Sequence, residues 1–263
     1  MRGSPLEAPE NTLTGLRRAL ELGLDGVAYD ARACLTGEAV LLRDETLERT
    51  TDGSGRLAEK TLPDLHALDA GSWFHARFRG EPVSLLEDAL GLGSEVAEQR
   101  VRHVVWVRER GLVPEIGRAL RGRSYPPGLA YVASASREVC LEARDAGLQA
   151  MLVVPRASED ARRFVRDERL PACAVEAGGF AGGLEWSCER WSIGADFPAD
   201  LLEACRTPLA GIATREPLRA LALRGLAKLA PAYSGPHPLT VPELEVHPGE
   251  ITLGRGEWCG SWD

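Results

Sequence analysis

Side chains that could form a nucleophile or a zinc site are present but are not arranged for either. Ser134 and Ser136 follow a strand-like segment and have no adjacent His/Asp arrangement of the kind that activates a serine. The six cysteines are widely scattered, and no pair has the short spacing of a zinc site. We expect them to be reduced thiols, mostly buried: Cys34, Cys140, Cys173, Cys188, Cys205 and Cys259.

Strand-like and helix-like segments alternate along the chain, and these elements must position any site. Asn11 or Thr12 can cap a helix that runs to about Leu22. "GVAYDAR" (Gly26–Arg32) and "EAVLLRD" (Glu38–Asp44) have the pattern of short strands. Regular alternation from about residue 101 onward implies parallel pairing, so the sequence predicts a (β/α)₈ barrel. A doubly wound sheet is the alternative, but no Gly-rich dinucleotide loop supports it.

Both ends of the chain depart from this pattern. No strand-like segment precedes the first helix, so the first barrel strand is predicted to be absent or replaced. We assign 1–230 to the barrel and 231–263 to a Pro/Gly-rich extended tail that packs on it. Unpaired strand edges tend to hydrogen-bond with other chains. Part of 239–258 is therefore expected to occupy or cover the place of the first barrel strand. The alternative is a strand from a partner, supplied by a longer native chain or by an oligomer.

Composition excludes several classes of function. The chain has 263 residues and a net charge of −8, which argues against non-specific nucleic-acid binding. The sequence has no run of about 18 apolar residues, so we expect no membrane span. The first residues also lack the pattern of a signal peptide, so we expect a cytoplasmic protein.

Several motifs have a specific order along the chain. Arg2–Gly3 and "APENT" (Ala8–Thr12) come first, followed by "LELGLDGVAYDAR" (Leu20–Arg32), "DETLERTTDGSGRL" (Asp44–Leu57) and "KTLPDLHALDAG" (Lys60–Gly71), with "RWSIGAD" and "AGIATREPLRAL" much later. This series resembles the glycerophosphodiester phosphodiesterase family, a group of metal-dependent barrel enzymes. The resemblance covers roughly 1–228 and is most specific in the first 71 residues.

The resemblance implies two catalytic histidines, which act as general acid and base. The first falls on Met1 and the second on Arg43. Arginine keeps its proton near neutral pH and cannot serve as a base. We therefore predict no catalytic residue of the family's type.

The resemblance also implies three carboxylates that hold calcium or magnesium through oxygen ligands. Their positions are Ala28, Asp30 and Trp106, so one carboxylate of three is kept. The aspartate of a later family motif is replaced by Arg215. Together these changes predict that no metal cofactor is used and that the family reaction does not run.

We interpret the altered site as a metal-free pocket for a small anionic or phosphorylated ligand. If the family positions apply, the ligand-binding residues lie at one face of the barrel: Arg2, Asp30, Arg43, Arg108 and Arg215. In the competing interpretation, Arg43 pairs with Asp30 or Asp44, replaces the metal by a salt bridge and closes the pocket.

Other functions stay open at this point. An active metal-dependent phosphodiesterase with a rewired site is the main alternative, and Glu176 in "CAVEAG" could supply an acid to such a site. A pure scaffold without a ligand is a third interpretation. Both the anion-binding protein and the scaffold are compatible with a homo-oligomer or a protein partner. The histidines match no catalytic position of the family and are expected to be surface or hydrogen-bonded residues: His66, His75, His103, His237 and His247.

Overall fold

A computed structural model describes residues 1–95, 101–126, 128–180 and 185–229. Within it, Met1–Ala227 form one compact unit. The tail predicted at 231–263, including the segment 239–258 expected to cover the barrel gap, lies outside the described residues. Those two expectations therefore stay predictions.

Strands and helices alternate along the described chain. The strands are β1 (Gly26–Ala33), β2 (Ala39–Leu41), β3 (Arg102–Val107), β4 (Ala130–Ser134), β5 (Gln149–Val154), β6 (Ala172–Glu176), β7 (Glu189–Ile193) and β8 (Gly211–Ala213). The α-helices are α1 (Leu13–Glu21), α2 (Leu62–His66), α3 (Leu86–Glu95), α4 (Val113–Gly122), α5 (Arg137–Asp145), α6 (Glu159–Asp167), α7 (Pro198–Arg206) and α8 (Pro217–Leu229). Two 3₁₀ helices, Leu57–Glu59 and Ala76–Phe78, lie between β2 and α3.

The strands form one sheet in the order β2-β1-β3-β4-β5-β6-β7-β8. From β1 and β3 through to β8 all pairs are parallel, with a helix after β3 and after each later strand except β6. Seven parallel strands of a (β/α)₈ barrel are thus present in the described ranges, and within those ranges no strand precedes α1. β2 does not belong to the parallel series, because it turns back and pairs antiparallel with the end of β1, Ala31 opposite Leu41.

Two apolar layers follow from the alternation of side chains along each strand. One set points into the barrel: Ala28, Val104, Trp106, Tyr131, Ala133, Met151, Val153, Ala172, Ala174, Trp191, Ile193 and Ala213. The other set, which includes Tyr29, Val105 and Leu152, packs against residues of the helices, among them Leu16, Ile116 and Val165. The inward set continues at the carboxyl ends of the strands, where functional residues of such barrels lie.

Local signals explain where the first helices begin. The Thr12 hydroxyl accepts a hydrogen bond from the backbone N–H of Gly15, as predicted for the cap of α1. Thr61 and Asp64 form a capping box at the start of α2. α3 runs from Leu86 to Glu95.

Candidate functional site

Asp30 is the centre of the candidate site. It lies on β1, two residues after the inward-facing Ala28 and opposite Trp106 on β3, so alternation puts it on the inner side of the barrel. Only 4% of its surface is exposed. A carboxylate buried this deeply needs cationic or hydrogen-bonding partners, since desolvation disfavours the charged form.

Both carboxylate oxygens of Asp30 are paired. Nε of Arg2 lies 3.1 Å from Oδ2, and Nη2 of Arg108 lies 3.4 Å from Oδ1. Asn11 adds two contacts: Nδ2 donates to Oδ2 at 3.3 Å, and Oδ1 accepts the backbone N–H of Asp30 at 3.1 Å. Two guanidinium groups therefore neutralise the carboxylate that resembles a metal ligand of the family.

The backbone of the opening segment is strained where it meets Asp30. Arg2 has φ 62° and Asn11 has φ 57°, both in the left-handed region that non-glycine residues rarely adopt. The two residues are linked by a hydrogen bond from the Asn11 N–H to the Arg2 carbonyl at 3.2 Å. Strain of this kind costs about 1–3 kcal/mol per residue and persists where surrounding contacts hold it, here the shared contact with Asp30.

Six charged residues form a chain of alternating sign through the site. Asp44 pairs with Arg49, Arg49 with Glu10 at 2.7 Å, and Glu10 with Arg2 at 3.5 Å. The chain continues through Asp30 to Arg108. Three negative and three positive groups alternate, so the chain is neutral as a whole.

Arg43 lies beside this neutral chain and adds one positive charge. Partial desolvation and the neighbouring guanidiniums of Arg2 and Arg108 lower the pKa of Arg43, and Asp30 and Asp44 oppose that shift. Arginine nevertheless stays charged at neutral pH. Within the described residues its side chain makes no hydrogen bond or ion pair. The alternative in which Arg43 pairs with Asp30 or Asp44 is therefore wrong: Arg2 and Arg108 pair with Asp30, and Arg49 pairs with Asp44.

The positions that resemble the other metal carboxylates carry apolar side chains. Ala28 and Trp106 both belong to the cluster inside the barrel. Nε1 of Trp106 is buried without a hydrogen-bond partner among the described residues, and its ring lies 5.9 Å from the Arg108 guanidinium carbon. Calcium and magnesium need several oxygen ligands. This donor set does not fit such an ion, and no group of three or more His, Cys, Asp or Glu side chains in the described ranges could hold one.

The remaining predicted residues lie at the same end of the barrel. Arg215 follows β8 and is held by Asp196, with Nε 2.7 Å from Oδ2. Hydrogen bonds from Thr214 and from the Arg215 backbone lower the pKa of Asp196, although burial acts in the opposite direction and is the largest single cause. Glu176 ends β6 on the same side as the inward-facing Ala172 and Ala174, and it is exposed.

The described histidines and cysteines take no part in this cluster. Nδ1 of His103 lies 2.9 Å from the Tyr29 hydroxyl on the helix side of the sheet, and burial lowers its pKa to about 4. His66 and His75 are exposed in the segment between β2 and α3. The five cysteines in the described ranges form no disulfide, and burial raises the pKa of Cys140 to about 12. The Cys140 thiol is therefore protonated at neutral pH, as expected for a structural cysteine.

Comparisons with known proteins show which proteins this chain is similar to. The model of the "Glycerophosphoryl diester phosphodiesterase family" matches residues 2–104. A glycerophosphodiester phosphodiesterase of Caldanaerobacter subterraneus is 40% identical over 91 residues, which are 35% of this chain and 37% of that protein. Residues 2–104 of this chain therefore match the glycerophosphodiester phosphodiesterase family in sequence. Human glycerophosphodiester phosphodiesterase 1 is 37% identical over 91 residues, 34% of this chain and 28% of the human protein. The matched region thus spans 37% of the bacterial relative and 28% of the human one.

Solved structures extend the likeness in fold to most of the chain. A glycerophosphodiester phosphodiesterase of Agrobacterium tumefaciens has a TM-score of 0.72 at 23% identity, covering 84% of this chain and 96% of that one. A phosphodiesterase of Oleispira antarctica, solved with the product sn-glycerol-3-phosphate, has a TM-score of 0.75 at 20% identity and covers 85% and 94%. The glycerophosphodiester phosphodiesterase fold therefore continues beyond the region where sequence identity is clear.

Sequence reasoning missed three residues of the site in this relative of the glycerophosphodiester phosphodiesterases: two members of the charged chain, Glu10 and Arg49, and the hydrogen-bond partner of Asp30, Asn11. Glu10 and Asn11 stand inside the quoted "APENT" motif, and Arg49 stands inside "DETLERTTDGSGRL". Motif matching identified these stretches but not the partners of their side chains. The available signal was charge balance, because a buried Asp30 beside several arginines needs further acids to keep the site near neutrality.

The structure also bears on the membrane question. Among the helices of the described ranges, none has both the length and the apolar character needed to cross a bilayer.

Proposed function

We propose that this chain is a non-catalytic member of its family that binds a small phosphorylated or otherwise anionic ligand without a metal ion. The ligand site lies at the carboxyl ends of β1 and β3 and in the segment after β2. Arg43 and Arg108 contact the anion, and Arg2 and Asp30 hold the pocket in place. Arg215 contributes positive charge from the end of β8.

The position of Arg43 is the observation that carries this proposal. Its guanidinium has no partner among the described residues and lies next to a neutral chain of six charges. A guanidinium binds phosphate oxygens through two parallel hydrogen bonds. The Arg108 side chain is 44% exposed, and among the described residues its guanidinium forms one ion pair, with Asp30, so its remaining N–H groups can face the same anion.

Two further observations support a phosphate ligand and the absence of hydrolysis. The related Oleispira phosphodiesterase binds sn-glycerol-3-phosphate, a phosphate monoester. In this chain the residue at the position of the second catalytic histidine is Arg43, which cannot accept a proton. Loss of one general acid or base typically lowers a rate by about 10²–10⁴.

Thermal denaturation with and without ligand tests binding. If sn-glycerol-3-phosphate binds with a Kd of about 1 mM, a 10 mM concentration stabilises the fold by about 1.4 kcal/mol and raises Tm by a few degrees. Arg43→Ala should remove the shift, and Arg166→Ala on α6 should keep it, because the one ion pair of Arg166 in the described part of the chain is with the neighbouring Asp167. No shift for the unmodified protein with either sn-glycerol-3-phosphate or inorganic phosphate would favour a pure scaffold.

A hydrolysis assay tests the non-catalytic part of the proposal. We expect no turnover of glycerophosphocholine or glycerophosphoethanolamine with added calcium or magnesium. Turnover that a chelator abolishes would support the alternative, an active phosphodiesterase with a rewired site.

A further inference from the structure

Arg32 is a buried arginine next to the anion site. It lies on β1 two residues after Asp30, so alternation along the strand places both side chains on the same side of the sheet. Only 8% of its surface is exposed. A guanidinium buried to this extent needs fixed hydrogen-bond acceptors, because burial removes the water that would otherwise solvate its charge.

The acceptors of Arg32 belong to two different segments. Its Nε donates to the backbone carbonyl of Arg43 at 2.8 Å, in the segment after β2. Its Nη1 lies 3.0 Å from Oε2 of Glu109, which directly follows Arg108 beyond the end of β3. The guanidinium of Arg32 therefore joins the backbone of Arg43 to the neighbour of Arg108.

Glu109 is also bound to the backbone of β1. Its second oxygen, Oε1, accepts the backbone N–H of Ala33 at 2.8 Å. Two consecutive residues of β1 thus engage both oxygens of this carboxylate, while Asp30 of the same strand pairs with the Arg108 side chain. β1 therefore fixes Arg108 through its neighbour and through its own guanidinium.

Electrostatic repulsion between the arginines makes this anchoring important. The guanidinium of Arg43 has those of Arg2 and Arg108 as neighbours, and like charges repel each other. The repulsion tends to move the segments of Arg43 and Arg108 apart. The two bonds of Arg32 oppose that movement, so the two segments keep their separation before an anion binds.

We propose that Arg32 is the positioning residue of the anion site: it holds Arg43 and Arg108 as a pair, so that both guanidiniums bind one terminal phosphate group. The inference rests on the proposed function, because it names the class of anion that the same site takes. Positioning of this kind raises affinity, since the cost of ordering the site is already met before binding.

The pair of guanidiniums specifies the class of phosphate. One guanidinium binds two phosphate oxygens through parallel hydrogen bonds. Two guanidiniums on one phosphate therefore need three unsubstituted oxygens, even if they share one of them. A phosphate monoester has three such oxygens and a phosphodiester has two. The site is therefore expected to prefer a monoester.

Isothermal titration calorimetry with two matched ligands tests the inference. The full chain, with metal ions removed by dialysis, is titrated with sn-glycerol-3-phosphate, a monoester, and with glycerophosphoglycerol, a diester. The unmodified protein should bind the monoester about tenfold more tightly. Arg32→Met keeps a long side chain but removes its donors. It should weaken monoester binding about tenfold and diester binding less than about threefold, because the diester engages a single guanidinium fully.

Two further variants separate positioning from charge and from stability. Arg32→Lys keeps the positive charge, but its compact ammonium does not reproduce the two separated donors of a guanidinium. It should also lose the preference for the monoester, and it serves if Arg32→Met does not fold. Arg144→Met is the matched control, because Arg144 also bridges a backbone carbonyl and a carboxylate, both of Glu168 at the end of α6. It should leave both Kd values unchanged.

Failure of the anion site and failure of the Arg32 role give different results. No binding of either ligand by the unmodified protein would overturn the proposed function, and this inference with it. Binding that Arg32→Met and Arg32→Lys leave unchanged would overturn the positioning role alone. An equal loss for monoester and diester, or no preference in the unmodified protein, would also overturn it, since a general loss of structure weakens both ligands alike.

Discussion

Oδ2 of Asp30 lies 3.1 Å from Nε of Arg2, and both residues are almost completely buried. A buried ion pair of this kind contributes little relative to an apolar pair, but breaking it leaves a charge without compensation. In this site the charge that would be left is Arg2, whose backbone is also strained. The pair therefore holds the opening segment against β1.

Asp30→Ala should destabilise the fold by about 3 kcal/mol, the lower end of the cost of an orphaned buried charge, since Glu10 still contacts Arg2. Chemical denaturation at neutral pH measures this change. Asp44→Ala is the matched control, because it breaks the partly exposed end of the same charged chain and should cost less than about 1 kcal/mol. Equal costs for the two variants would contradict the central role of Asp30.

Calcium and magnesium should leave Tm unchanged at millimolar concentration, because Ala28 and Trp106 offer no oxygen ligands beside Asp30. The double variant Ala28→Glu, Trp106→Glu restores carboxylates at both positions and should gain a metal-dependent rise in Tm. The corresponding glutamine pair has nearly the same size without the charge, so it controls for the change in packing. A metal-dependent rise in the unmodified chain would contradict the metal-free site.

His103 should make stability depend on pH between about 4 and 6.5. Burial lowers its pKa to about 4 in the folded chain, from about 6.5 in the unfolded one, so the unfolded state binds the proton first as pH falls. The stabilisation is present above pH 6.5 and is lost as pH falls toward 4, by at most about 3 kcal/mol. Urea denaturation at pH 7 and pH 4.5 measures the loss.

The matched comparison for this pH effect uses two histidine variants. His103→Leu should flatten the pH dependence in that range, although it also removes the contact with Tyr29. His66→Gln changes an exposed histidine and should keep the slope of the unmodified chain. If His103→Leu keeps the full change of unfolding free energy with pH, other titratable groups cause the pH dependence.

Gly3→Ala should destabilise the fold by about 2 kcal/mol more than Gly37→Ala. Both glycines have positive φ, 85° and 95°, so both variants carry the cost of a left-handed alanine. At Gly3 the new Cβ would also lie 2.4 Å from the Gly15 backbone carbon, whereas at Gly37 it meets nothing within 4 Å. Circular dichroism melts of the two variants isolate the close approach of the opening segment to α1. Equal losses would show that α1 moves to accommodate the methyl group.

The sequence predicted the barrel well because its signals are periodic and local. Alternation of apolar residues located the parallel strands, and Thr12 located the start of α1. β2 was placed correctly in sequence, but its antiparallel pairing with β1 was not foreseen, since the pattern of a short strand carries no direction.

The sequence predicted which residues form the candidate site, but it did not predict which of them form ion pairs with each other. The family resemblance identified Asp30 and the arginines, and the structure brings Arg2, Arg43 and Arg108 close to Asp30. Which arginine pairs with the aspartate could not be predicted, because it depends on the left-handed backbone at Arg2 and Asn11. That conformation is set by contacts between segments distant in sequence.

The alternating chain from Asp44 to Arg108 has a consequence for how substitutions combine. Each interior member touches two groups of opposite sign, so replacing one changes the environment of two others. Double-mutant cycles along the chain should therefore give large coupling energies between neighbours. At this end of the barrel, exchanging an acid and a base together should therefore cost less stability than replacing either residue alone.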